Sequence, residues 1–119
     1  MASRSSWSRK FAAAFRGIAR GMRRERSFCV HLPMASAVLV AAAVLSLHGW
    51  EWVALIICIG GVLAAELFNS ALESFARALD RPEDPDIGDA LDIAAGAVLV
   101  ISFAAAVVGC FILGAALAR

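Results

Sequence analysis

Fourteen consecutive uncharged residues, Trp52 to Ala65, run directly into Glu66 with no helix breaker between them. A run this apolar reads as the opening of a membrane-spanning helix. The helical pattern nevertheless continues through Glu66-Leu67-Phe68-Asn69-Ser70-Ala71-Leu72-Glu73. At 3.6 residues per turn, Glu66, Asn69, Ser70, Glu73, Arg77 and Asp80 share one face within an arc of about 100°. Leu, Phe and Ala occupy the facing side. A carboxylate well inside a bilayer costs at least ~2.5 kcal/mol on the mildest scale, so chains rarely carry one without use. The polar face is a candidate active site. The alternative, that Glu66 and Asn69 only join helices by hydrogen bonds, stays open at this level. With a rise of ~1.5 Å per residue, Glu66 lies about 21 Å beyond Trp52 and Glu73 about 10 Å further, against a hydrocarbon core of ~30 Å. Glu66 is then where a lipid headgroup can reach down, and Glu73 where a water-soluble partner can reach up.

At 61% hydrophobic over 119 residues, the chain is too apolar for a soluble domain and too short for a large transporter. Three long apolar segments use nearly all of it, which predicts one small all-α membrane domain over residues 1–119. Net charge is only +1, but residues 1–26 hold eight of the eleven Lys and Arg against a single acid, Glu25. Residues 77–92 hold two Arg against six acids. This asymmetry bears on topology and anionic lipid, and no nucleic-acid partner is expected. Cys29, Cys58 and Cys110 fall one to each apolar segment without metal-ligand spacing, and read as small buried hydrophobes. His31 and His48 lie at opposite ends of the first span and off the acidic face, so no zinc site is legible.

Residues 7–24 predict an amphipathic surface helix. Trp7, Phe11, Phe15, Ile18 and Met22 form its apolar stripe, opposite Arg9, Lys10, Arg16, Arg20, Arg23 and Arg24, which fits a helix lying in the membrane interface. A signal peptide competes with this reading, but the following apolar run exceeds the ~7–15 residues of such a segment. The first span is expected over 28–47, with Pro33 in its first two turns, where a missing N–H costs least. Ser46 to Glu51 reads as a tight turn, and Trp50 and Trp52 suit an interfacial aromatic belt. A second span with a cytoplasmic extension is expected over 52–79, then an acidic loop over 80–89 carrying Pro82 and Pro85. The third span is expected over 93–117, where Gly96, Gly109 and Gly114 offer a small-residue packing surface. The basic N-terminus should be cytoplasmic, which puts Glu73 on the side where ATP is available.

Glu25, Glu73 and Asp92 then all lie near the cytoplasmic membrane surface. One or two carboxylates plus substrate phosphates are how Mg²⁺ is usually held, and the deeper Glu66 suits a general base acting on a lipid hydroxyl. Together they suggest phosphoryl transfer from Mg-ATP to a lipid alcohol, driven by positioning and charge neutralisation. Ser70 on the polar face is a further candidate for the lipid, and Arg9 on the surface helix for ATP.

Glu66-Leu-Phe-Asn69-Ser-Ala-Leu-Glu73 closely resembles the motif of the small prokaryotic diacylglycerol kinase and undecaprenol kinase family. Phe11-Ala-Ala-Ala14-Phe-Arg-Gly17-Ile, Arg24-Glu25-Arg-Ser-Phe28 and Asp92-Ile-Ala-Ala-Gly96-Ala-Val resemble its other segments, in order and over nearly the whole chain. The resemblance implies a homotrimer of three-span protomers, each with a surface helix, in the bacterial inner membrane, with active sites shared between neighbours. It implies Glu66 as catalytic base, Glu25 and Glu73 as ligands of the ATP-bound Mg²⁺, and Asn69 and Asp92 in the site. The absence of GxxxxGK[ST] and GxGxxG agrees, since this family is unrelated to the P-loop and eukaryotic-type kinases.

Two positions depart from the family pattern. Leu91 stands where the family usually has a lysine that contacts ATP phosphates, and Arg77 where it usually has Asp. Arg77, on the face of Glu73, either supplies the displaced positive charge or snorkels to headgroups as an anchor; a weakened enzyme is the third possibility. Ile59-Gly-Gly-Val and the segment from Asp92 look more like the undecaprenol kinase branch than the enterobacterial diacylglycerol kinases. The rival classes are a small channel or transporter-like trimer, whose pore a carboxylate-and-amide face can line, and a purely structural trimer. A lipid phosphatase of the common membrane class would need catalytic histidines on the acidic face.

Overall fold

Three short breaks divide the chain into helices, and each has a chemical cause. The computed structural model describes residues 4–119, with side chains from Ser6 onward. Among these residues the elements are α1 (Arg4–Arg24), α2 (Phe28–Val44), α3 (Gly49–Leu79) and α4 (Pro85–Ala118). Between α1 and α2 the turn at residues 25–27 swings the helix axes through 106°. Between α2 and α3, Ser46 takes a left-handed conformation (φ 55°), and the His48 N–H donates to Glu51 Oε1 at 2.9 Å. That reciprocal cap satisfies an N–H the helix start would otherwise orphan. Between α3 and α4, Asp80 is left-handed (φ 50°), a conformation Asp tolerates better than most residues.

The helix boundaries differ from the hydropathy boundaries for the same reasons. The first span ends at Val44, not Leu47, and α3 starts at Gly49, three residues before Trp52, because His48 and Glu51 form the cap. The largest difference is α4, which begins at Pro85 instead of Ile93. Asp84 accepts a hydrogen bond from the Asp86 N–H at 2.9 Å, and Pro85 sits in the first turn where it needs no N–H partner. Acidic side chains there also complement the helix dipole. The acidic stretch is therefore loop only through Asp84, and Asp89 and Asp92 are helical.

The chain is an all-helical membrane protein. α3 with 31 residues and α4 with 34 are each long and apolar enough to cross a bilayer. The 17-residue α2 is about 25 Å long, short of a ~30 Å hydrocarbon core by itself. α3 and α4 pack along one another, close enough at Gly61 that a Cβ there would meet Ile101 Cδ1 at 3.3 Å. α1 approaches α3 more tightly still: a Cβ on the buried Gly21 would come within 2.5 Å of Leu67 Cδ2. Little of α4 is buried within the chain; Leu99, Phe103 and Phe111 are all exposed, as suits a helix in contact with lipid.

Ala42, Leu55 and Ile112 form the buried core at the end of the bundle remote from Glu66, with Val38, Leu47, Trp52 and Val108 against them. Beside it the buried Glu51 carboxylate receives Arg119 Nη1 at 2.9 Å, joining the start of α3 to the end of α4. Ala42 is fully buried while Ala43 is exposed, so small size matters at one position and not at its neighbour. Ala42→Leu is expected to lower stability in detergent by ~1–3 kcal/mol, the usual penalty for overpacking. Ala43→Leu should change it by less than ~0.5 kcal/mol; equal effects in a denaturant titration would contradict this packing.

Candidate active site

A buried carboxylate needs its lone pairs satisfied, and Glu66 is buried on α3. Two residues of the α1–α2 corner meet it. The Ser27 hydroxyl donates to Glu66 Oε2 at 2.6 Å. His31 Nδ1 lies 2.6 Å from Glu66 Oε1 as an ion-pair contact, although its direction is not that of an aligned hydrogen bond.

One to two helical turns further along α3, toward its C-terminal end, lies a second group. Asn69 Nδ2 donates to Glu73 Oε1 at 3.0 Å. A carboxylate can only accept, so the amide's N–H end must face it, and this leaves Asn69 Oδ1 buried without a partner. Glu25, in the α1–α2 turn, lies close enough to Glu73 and Ser70 for both to act on its carboxyl. Burial first, then the Glu73 carboxylate, pushes the Glu25 carboxyl above its ordinary range, while the Ser70 hydroxyl acts in the opposite direction. Two neighbouring carboxyls and an orphaned amide oxygen are all hard oxygen donors. This set fits Mg²⁺, which takes one or two carboxylates and fills its octahedron with water and phosphate oxygens. Among the described residues no group of three or more His, Cys, Asp or Glu is placed to hold a metal ion.

Beyond Glu73 the surface opens into a cleft of about 510 Å³ between the ends of α3 and α4. Arg77, Arg81 and Leu91 line it together with Glu73 and Asp80. Arg77 Nη2 donates to Ser74 Oγ at 3.0 Å, an exposed contact that leaves its other donors facing outward. A second cleft, about 410 Å³, lies between α1 and α3; Ile18, Leu67 and Ala71 give it apolar walls, with Arg20, Arg24 and Ser70 also lining it.

The structure thus brings together Glu25, Glu66, Asn69, Ser70 and Glu73. Arg77 stands on the adjoining cleft. Asp92 is exposed on α4 and joined to the cluster by no hydrogen bond or ion pair among the described residues. Arg9 is exposed on α1 and lines neither cleft. Nothing in the sequence marks Ser27 or His31, and both histidines are expected off the acidic face. His31 does lie off that face in sequence, but α2 carries it across to Glu66.

The segments that build the cluster are shared with known proteins. Residues 12–113 match the family model described as prokaryotic diacylglycerol kinase. The chain belongs to the prokaryotic diacylglycerol kinase family. It is 35% identical over 104 residues to an undecaprenol kinase of Bacillus subtilis (strain 168), an overlap covering 87% of this chain and 85% of the relative. No solved structure matches. Within this member of the diacylglycerol kinase family, both departures from the expected pattern, Arg77 and Leu91, face the same cleft.

Proposed function

We propose that the protein is an ATP-dependent kinase of a membrane lipid alcohol, with undecaprenol favoured over diacylglycerol as acceptor. The observation that carries this is a buried carboxylate on α3, Glu66, followed two turns later on the same helix by Glu73, which Glu25 of the α1–α2 turn approaches. Glu66 takes the proton from the lipid hydroxyl as its oxygen attacks the γ-phosphorus, and the bond from that phosphorus to ADP breaks. Mg²⁺, when bound, neutralises charge on the phosphates. Glu25 and Glu73 would hold it, with Asn69 fixing Glu73 and offering its free amide oxygen, and Ser70 beside Glu25. The cleft between α1 and α3 suits the lipid, with apolar walls for the chain and Arg20 and Arg24 for its polar end.

The assembly we favour is a homotrimer of three-span protomers in the bacterial inner membrane, with α2 as the short first span and the N-terminus cytoplasmic. The eight basic residues before Ser27 support that orientation. The broad exposed apolar surface of α4 gives neighbouring protomers and lipid a surface to cover, and the exposed Asp92 would serve a neighbour's site in such an assembly.

Undecaprenol is favoured by the likeness to the Bacillus enzyme. Purified protein in mixed micelles, given Mg-ATP with undecaprenol and diacylglycerol separately, tests the choice. A higher kcat/KM for undecaprenol supports it, and preference for diacylglycerol reverses it.

Arg77 supplies the cation that Leu91 does not. Arg77→Ala should raise KM for Mg-ATP about 10-fold, the worth of one charge-assisted hydrogen bond, with little change in the KM for lipid. An unchanged ATP KM would leave Arg77 as an interfacial anchor. The double exchange Arg77→Asp with Leu91→Lys should keep or raise activity, because it returns one acid and one cation to the same cleft.

A further inference from the structure

Ser27 occupies the N-cap position of α2, where a serine hydroxyl ordinarily accepts from the helix's own first N–H groups. Here its side chain makes no capping bond. The hydroxyl instead crosses 39 residues of sequence to donate to Glu66 Oε2 at 2.6 Å. Four residues later, and so on the same face of α2, His31 places Nδ1 at 2.6 Å from the other oxygen, Oε1. On a carboxylate that is only 2% exposed, one oxygen is hydrogen-bonded by Ser27 and the other is in close ion-pair contact with His31, from the N-cap and the first turn of one helix. The two contacts together restrict the position and the rotation of the carboxylate.

We propose that His31, with Ser27, is the positioning pair for the base of this enzyme: it aims the free lone pairs of Glu66 at the lipid hydroxyl. The proposal rests on Glu66 being the base. A carboxylate held at one oxygen can still swing about its terminal torsion, which is soft and broad; the His31 ring against the second oxygen narrows that swing. Proton abstraction depends on that aim, because a misplacement of ~1 Å can cost about 100-fold. His31 also remains partly open, at 27% side-chain exposure against 3% for Glu66, so it forms the outer edge of the cluster. Neither residue belongs to the Glu25–Glu73 pair, and neither lines the cleft that carries Arg77. Losing them should therefore change turnover and spare nucleotide binding.

The experiment compares His31→Leu, His31→Asn and Glu66→Gln in mixed micelles, with kcat and KM for Mg-ATP measured for each and thermal stability recorded in the same detergent. His31→Leu should lower kcat about 10- to 100-fold and leave the KM for Mg-ATP within about twofold. Asn can set an N–H close to the place of Nδ1, so His31→Asn should recover most of the lost turnover. Three results would overturn the proposal while Glu66→Gln is inactive: a wild-type kcat in His31→Leu, no recovery in His31→Asn, or a loss of kcat matched by an equal rise in the ATP KM. An active Glu66→Gln would instead remove the base itself. If His31→Leu proves unfolded, Ser27→Ala takes its place, with a smaller fall in kcat and again no change in the ATP KM; a wild-type kcat there would equally overturn it.

Discussion

Glu66→Gln should abolish lipid phosphorylation and leave the fold intact. Loss of a positioned base costs typically about 10²- to 10⁴-fold in rate, so residual turnover should fall toward background. The amide has the shape of the carboxylate it replaces, and its oxygen still accepts from the Ser27 hydroxyl. The relief of desolvating a buried charge and the weakened contact with His31 act in opposite directions on stability. Lost turnover in a protein that stays folded is what separates a catalytic Glu66 from one that only joins helices. In the latter case the same substitution leaves activity untouched.

The second large effect concerns the carboxylate pair. Glu73→Gln and Glu25→Gln should each raise the Mg²⁺ concentration needed for half-maximal activity by at least about 10- to 100-fold, the range seen even for outer-shell partners of metal ligands. Excess Mg²⁺ should recover part of the loss. Stability should move the other way. The Glu25 carboxyl is held above its ordinary range by burial and by Glu73, which means that the folded chain disfavours its charged form. At neutral pH without Mg²⁺, Glu25→Gln should therefore keep or raise the melting temperature. A pair retained for structure alone would show a lowered melting temperature and an unaltered Mg²⁺ dependence.

Much of this site can be read from the sequence because it lies on one helix. Glu66, Asn69, Ser70 and Glu73 recur at helical spacing inside an apolar run, and neither a break nor a strand would keep them on one face. Glu25 is legible in a weaker way, as the single acid among eight basic residues. His31 and Ser27 carry no such pattern. Their place beside Glu66 exists only because the chain turns through 106° after α1 and so brings the start of α2 to that carboxylate. A lone histidine near the start of an apolar segment gives no sign of that contact. The unused capping position of Ser27 becomes informative only once the structure is seen.

The start of α4 was hidden for a different reason. Hydropathy locates where a helix enters lipid, whereas Asp84, Pro85 and Asp86 set where the helix begins, and here the two are eight residues apart. That difference matters to the site, because the helical extension carries Leu91 to the cleft opposite Arg77. Two departures from the family pattern that look independent in sequence thus meet in one place.

The most direct test of the account is transfer of label from γ-labelled ATP to lipid by the unaltered protein, with its native Leu91 and Arg77, in micelles containing undecaprenol or diacylglycerol and Mg²⁺. Labelled lipid should form, depend on Mg²⁺, and disappear in Glu66→Gln. A folded protein that labels neither lipid, or labels them equally well without Glu66, would contradict the assignment of the α3 polar face as the catalytic centre.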